Sequence, residues 1–140
     1  MLTLVAGKAS YSPHDLPAFQ VDVVSTSAAT CMIDTGPGAL RIVVLHGGQV
    51  AWNSGACLHG ASQHVISLRR GVPVVRPIAW NRHLTVAGCP ATVRAATNRT
   101  YTAVAQAAGT QSPGQAFRLT EPARPGKPKK SSGTAAGPAA

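Results

Sequence analysis

Met32-Ile33-Asp34-Thr35-Gly36 is the stretch whose residue types come nearest to a catalytic loop. A carboxylate on a tight turn that faces a second carboxylate shares one proton with it, and the pair activates water for hydrolysis. One chain of 140 residues supplies a single such loop, so that chemistry requires a second copy. The same residues also make an ordinary turn, in which Asp34 bonds its own backbone and Gly36 takes up the bend. Pro37 follows where a catalytic loop wants a small residue, and no second apolar-apolar-Gly segment braces it, so the turn is the favoured reading.

Five histidines, His14, His46, His59, His64 and His83, offer metal ligands, and Cys57, His59 and His64 lie within eight residues of one another. Zinc requires three or four ligands held by oriented partners, and the C-x-H-x₄-H spacing matches no standard site, so no metal or other cofactor is expected. A Ser-His-Asp hydrolase could be assembled from His46 and Asp34, but the sequence has no G-x-S-x-G elbow and only four acidic residues to orient a base. Asn98-Arg99-Thr100 fits the N-glycosylation acceptor, a pattern common by chance.

The elements that would position these groups read as strands. Alternation of period two recurs with β-branched residues, and no window sustains a period of 3.6. Residues 2–6 and 8–11 form a broken first strand. In residues 18–25, Phe19, Val21 and Val23 share one face. Residues 30–34 form a short strand closed by Gly36-Pro37-Gly38. Residues 40–46 pair with 50–53 across Gly47-Gly48, the strongest hairpin signal in the chain. Residues 64–68 follow. Residues 74–80 carry Pro77 after Pro73, which places them at an edge or a bulge. Residues 100–107, turning at Gly109, and residues 115–119 close the set. About seven to nine short strands with regular turns predict an all-β chain, an immunoglobulin-like β-sandwich of antiparallel strands. Phe19, Trp52, Trp80, Tyr101 and Phe117 sit in apolar strands and are its expected core aromatics, although an exposed Trp52 or Trp80 could also anchor a partner.

Composition agrees. Hydrophobic residues make up 44% and charged residues 12%, which excludes a fully disordered chain and an ion-pair-laced helix bundle. No apolar run approaches a membrane span, and no signal peptide is visible. The net charge of +9 is dispersed. Part of it lies in residues 120–140, where Arg124, Lys127, Lys129 and Lys130 face only Glu121 among prolines, glycines and alanines. That segment is expected to be a disordered basic tail to a domain of residues 1–119. The remaining arginines are scattered, Arg69-Arg70 excepted, so no specific nucleic-acid site is expected.

In a sandwich, Cys57 and Cys89 both fall in loops that could lie at one end, so a Cys57–Cys89 bridge is expected, with Cys31 unpaired. The alternative is a cytosolic protein with three reduced cysteines, in which Cys31 is a small buried hydrophobe.

A recurring order of motifs carries a family resemblance. Gly48-Gln49-Val50-Ala51-Trp52-Asn53 is followed by Ser67-Leu68 with Gly71-Val72-Pro73, then Ile78-Ala79-Trp80, Thr100-Tyr101-Thr102-Ala103 and Ala116-Phe117-Arg118-Leu119. It resembles the extracytoplasmic Ig-like domains of actinobacterial membrane-anchored envelope proteins, and is more distantly similar to BsuPI-type proteinase-inhibitor domains. Arg99 stands where the pattern has Gly, and the upstream membrane anchor of such proteins is absent. The resemblance implies an extracytoplasmic location, a start site at Met1 inside a longer reading frame, and a partner for Cys31 upstream. It also implies a non-catalytic binding module, and no enzyme. The module would act as a monomer on a protein partner or an anionic envelope polymer, in its most specific form as a proteinase inhibitor using residues 55–62 or 85–97. The competing classes are a homodimeric aspartic protease acting through Asp34-Thr35-Gly36, and a truncated gene product without a function of its own.

Overall fold

The computed structural model describes residues 1–58, 63–90 and 92–120. They are all β, and no helix occurs among them. The expected tail from residue 121 onward lies outside the described residues, as does His59.

Among the described residues eleven strands run in chain order: β1 (Leu2–Ala6), β2 (Ser10–Tyr11), β3 (Ala18–Val23), β4 (Cys31–Asp34), β5 (Arg41–His46), β6 (Gln49–Asn53), β7 (Val65–Leu68), β8 (Val74–Ala79), β9 (Thr100–Ala107), β10 (Thr110–Gln111) and β11 (Gln115–Leu119). One sheet has the order β1-β3-β8. A larger one has β2-β11-β9-β5-β6, with β10 on β9, and β4 pairs with β7 by itself. The count exceeds the expected seven to nine because β2 and β10 are two-residue strands too short to show alternation.

The broken first strand has a structural cause. Its first half, β1, pairs with β3, whereas β2 pairs with β11 in the other sheet, so the chain changes sheets between Ala6 and Ser10. The β2–β11 pair is parallel, which corrects the expectation of antiparallel strands throughout. Two chain segments that run the same way along facing sheets become parallel neighbours when one crosses over. Among the described residues strand β8 has only β3 beside it, the edge position that tolerates Pro77. The Gly47-Gly48 hairpin forms as read, with φ of 57° and 81°, the two positive values that a type I′ turn demands.

Alternation then builds the core. Phe19, Val21 and Val23 of β3, Ile42 and Val44 of β5, Tyr101, Ala103 and Ala105 of β9, and Phe117 and Leu119 of β11 are all buried in one cluster. The strands of the two larger sheets thus turn their apolar faces to each other across a shared core. Trp80, just past β8, is fully enclosed, and its ring meets Tyr101 and Phe117 edge-on with centroids 5.8 and 6.3 Å away. Each fully buried side chain of this size contributes roughly 1.5–3 kcal/mol over its exposed state. Four of the five expected core aromatics are buried. Trp52 is the exception: it is half-buried and packs at the margin of the cluster.

Candidate functional site

The position of Trp52 follows from an irregularity in β6. Val44 pairs with Trp52, yet the next residue of β5, Leu45, pairs with Val50, so Ala51 is an extra residue. Such a bulge breaks strict alternation and re-aims the neighbouring side chain. Trp52 therefore shares the inward face with buried Val44, while Val50 faces solvent. Because β6 is the last strand of its sheet, Trp52 lies where the sheets part, stacked on Trp80 with centroids 5.6 Å apart and planes 20° apart.

The segment after β8 closes over this margin. The Trp80 indole N–H donates to the His83 carbonyl at 2.9 Å. Thr85 protects the open edge of β6: its backbone N–H donates to Ala51, and its hydroxyl oxygen accepts the Asn53 N–H at 3.0 Å. The disulfide between Cys57 and Cys89, with Cα atoms 5.5 Å apart, ties this segment to the loop after β6. Both bridged residues hold positive φ, 57° and 49°, a conformation uncommon for residues other than glycine. Between the two loops is a hollow of about 520 Å³ lined by Trp52, Asn53, Asn81 and Thr85, with Leu58 and Val86 exposed at its rim. A second hollow of about 340 Å³ opens on the β8 side and is also lined by Trp52.

The polar lining has a common feature. Asn53 Oδ1 accepts the Gly55 N–H at 2.8 Å, and Asn81 Oδ1 accepts the His83 N–H at 3.0 Å. Ser54 Oγ accepts the Ile42 N–H at 2.8 Å. The acceptor oxygens therefore hold the backbone in place, and the donor hydrogens of these side chains remain.

The asparagines and Thr85 were not singled out from sequence. A signal was present: Ala-Trp-Asn occurs twice, at residues 51–53 and 79–81, and the fold brings Trp52 and Asn53 of the first copy and Asn81 of the second to this hollow. Their tryptophans stack on each other, and their asparagines each cap a turn.

The other candidates are placed elsewhere. Asp34 Oδ1 accepts backbone N–H groups of Gly36 at 2.8 Å and His64 at 2.9 Å, the turn geometry anticipated as the alternative to catalysis. The His64 bond, then the Gly36 bond, hold its carboxyl below the usual aspartate value. Thr35 donates to the His64 carbonyl and accepts from Arg76, fastening the same turn. His46 lies against Tyr101 and contacts the Thr100 carbonyl at 3.2 Å, not Asp34. Cys57 is oxidised, which removes it from any ligand set with His64. Among the described residues no three His, Cys, Asp or Glu side chains converge as metal ligands. Cys31 is a free thiol, partly buried, 3.8 Å from Ser25 Oγ. No described helix is long and apolar enough to cross a membrane, and a disulfide of this kind belongs to oxidising surroundings.

No family model matches the chain, and no curated protein matches it. Among solved structures, a β-glucosidase from Erythrobacter marinus matches with a TM-score of 0.53 at 11% identity, over 84% of this chain and 15% of the enzyme's chain. At that identity the likeness carries the fold alone. It nevertheless overturns the expectation, drawn from the family resemblance, that the chain is no enzyme: a similar fold occurs within the chain of an enzyme.

Proposed function

We propose that residues 1–119 are an immunoglobulin-like β-sandwich that serves as a binding module of the bacterial cell envelope, related to the actinobacterial extracytoplasmic domains and, at a distance, to the BsuPI group. The two sheets sharing one core support the sandwich, and the disulfide supports an oxidising location. A similar fold makes up 15% of the chain of a β-glucosidase, which supports a unit that works beside others.

The observation that carries the proposal is the Cys57–Cys89 bridge, which fixes two loops around half-buried Trp52. Long loops are costly to order on binding, and a cross-link removes part of that cost beforehand. The inhibitory form would use the same end, since residues 55–58 and 85–90 flank the bridge. The partner is an envelope protein or polymer.

Sedimentation of the oxidised protein with isolated actinobacterial envelope material tests this. Val86→Glu changes an exposed rim residue without touching the core. The wild type is expected to co-sediment and the Val86→Glu variant to remain in the supernatant. Equal sedimentation of the two, or none by either, refutes the proposal.

A further inference from the structure

We infer that the hollow beside Trp52 binds a neutral saccharide through a pyranose ring laid on the indole. The inference rests on reading this end of the molecule as the binding surface, and adds the chemistry of what is bound.

Trp52 forms a fixed platform. One face is stacked on Trp80, which is fully enclosed and bonded to the His83 carbonyl, so the pair cannot rotate independently of the core. Trp52 also borders both hollows. An aromatic ring presented in this way offers a flat apolar surface at low entropic cost.

On the larger hollow the described polar side chains are the uncharged donors of Asn53, Ser54, Asn81 and Thr85, together with His83, whereas Arg76 lines only the second hollow. The carboxamide oxygens of Asn53 and Asn81 are occupied by backbone N–H groups, which fixes each amide's orientation. Among the described residues neither NH₂ group has a protein acceptor. Ser54 and Thr85 likewise accept from the backbone through their oxygens and keep a hydroxyl hydrogen to give. Among the described residues no Lys, Arg, Asp or Glu lines the larger hollow, although the chain carries a net charge of +9.

The ligand must match that pattern. An anion would be met by arginine or lysine, and a cation by a carboxylate. A wholly apolar ligand would strip water from four donors and give them nothing in return. A pyranose has an apolar C–H face for the indole and a rim of hydroxyl oxygens that accept hydrogen bonds. The hollow, at about 520 Å³, is of a size that encloses a small ligand. Exposed Leu58 and Val86 extend the apolar surface toward a neighbouring sugar.

The test is titration of the oxidised full chain with glucose tetrasaccharides of β-1,4, β-1,3 and α-1,4 linkage. A galacturonate tetrasaccharide serves as anionic control, and calorimetry and tryptophan emission are the readouts. Saturable binding to at least one neutral tetrasaccharide, with a change in emission, is expected. Trp52→Ala should weaken it about tenfold or more. Because that change also loosens the Trp80 stack, Asn53→Asp and Asn81→Asp are decisive: each keeps the Oδ1 acceptor for its turn and replaces the NH₂ donors. Each is expected to lower affinity about tenfold while leaving the circular dichroism unchanged. No binding at millimolar sugar, preference for the galacturonate, or indifference to both aspartate variants overturns the inference. If the sugars fail while Val86→Glu still abolishes envelope sedimentation, only the saccharide assignment falls. If sedimentation fails as well, the binding module falls with it.

Discussion

Replacing Cys57 and Cys89 together by serine removes the cross-link with little change in side-chain volume. The bridge spans a sequence separation of 32 residues. In the chain-entropy description, cross-linking a loop of that length lowers the entropy of the unfolded chain by about 12 cal/mol/K, or about 3.7 kcal/mol at 25 °C. With about 115 residues in the cooperative unit, the entropy of unfolding is roughly 0.24 kcal/mol/K, so the midpoint should fall by roughly 15 °C. The effect acts on the unfolded chain because the loops have anchors besides the bridge: the Thr85 bonds to β6 and the Trp80–His83 bond. The assay is urea and thermal unfolding of the double variant beside the oxidised wild type, followed by near-ultraviolet dichroism of the tryptophan stack. A loss of about 2–5 kcal/mol, the range for native bridges, with the native spectrum retained, is expected. A loss below about 1 kcal/mol would refute the reasoning, since the loop would then already be closed in the unfolded state.

Three other outcomes follow from the same geometry. Trp80→Ala should cost about 3–5 kcal/mol in urea unfolding and abolish the dichroic signature of the tryptophan pair, because it empties a fully enclosed site and orphans the His83 carbonyl. Labelling of denatured protein before and after reduction, read by intact mass, should find one free thiol and then three, with Cys31 the one labelled at first. Asp34 and Asp15 both lie below the usual aspartate value, Asp34 through the His64 and Gly36 N–H bonds and Asp15 through hydrogen bonds from Lys8 and Ser12. Their contribution is complete above the unfolded value near ~3.9 and is lost as pH falls through the lower folded values, so Asp34→Asn should flatten the decline of stability below about pH 4 in acid titration.

Much of this architecture is local. Period-two alternation in β3, β5, β9 and β11 makes the choice of inward residues a one-dimensional matter, since successive side chains point to opposite faces. Gly47-Gly48 determines its hairpin because positive φ at both positions is an intrinsic property of that pair. The Cys57–Cys89 pairing was legible once the strands on either side were placed. Asp34-Thr35-Gly36 was legible as a turn for the same local reason, its bond to Gly36 spanning two residues. Beyond this range the sequence was silent. The crossing of the first strand between sheets, and the parallel seat of β2 against β11, depend on partners more than a hundred residues apart. The bulge at Ala51 exists only relative to β5, yet it turns Trp52 inward. Two copies of Ala-Trp-Asn are visible in the sequence, but their convergence on one hollow is a property of folded sheets. Side-chain type and strand pattern are written in each segment; which segments meet is decided by the packing of the whole chain.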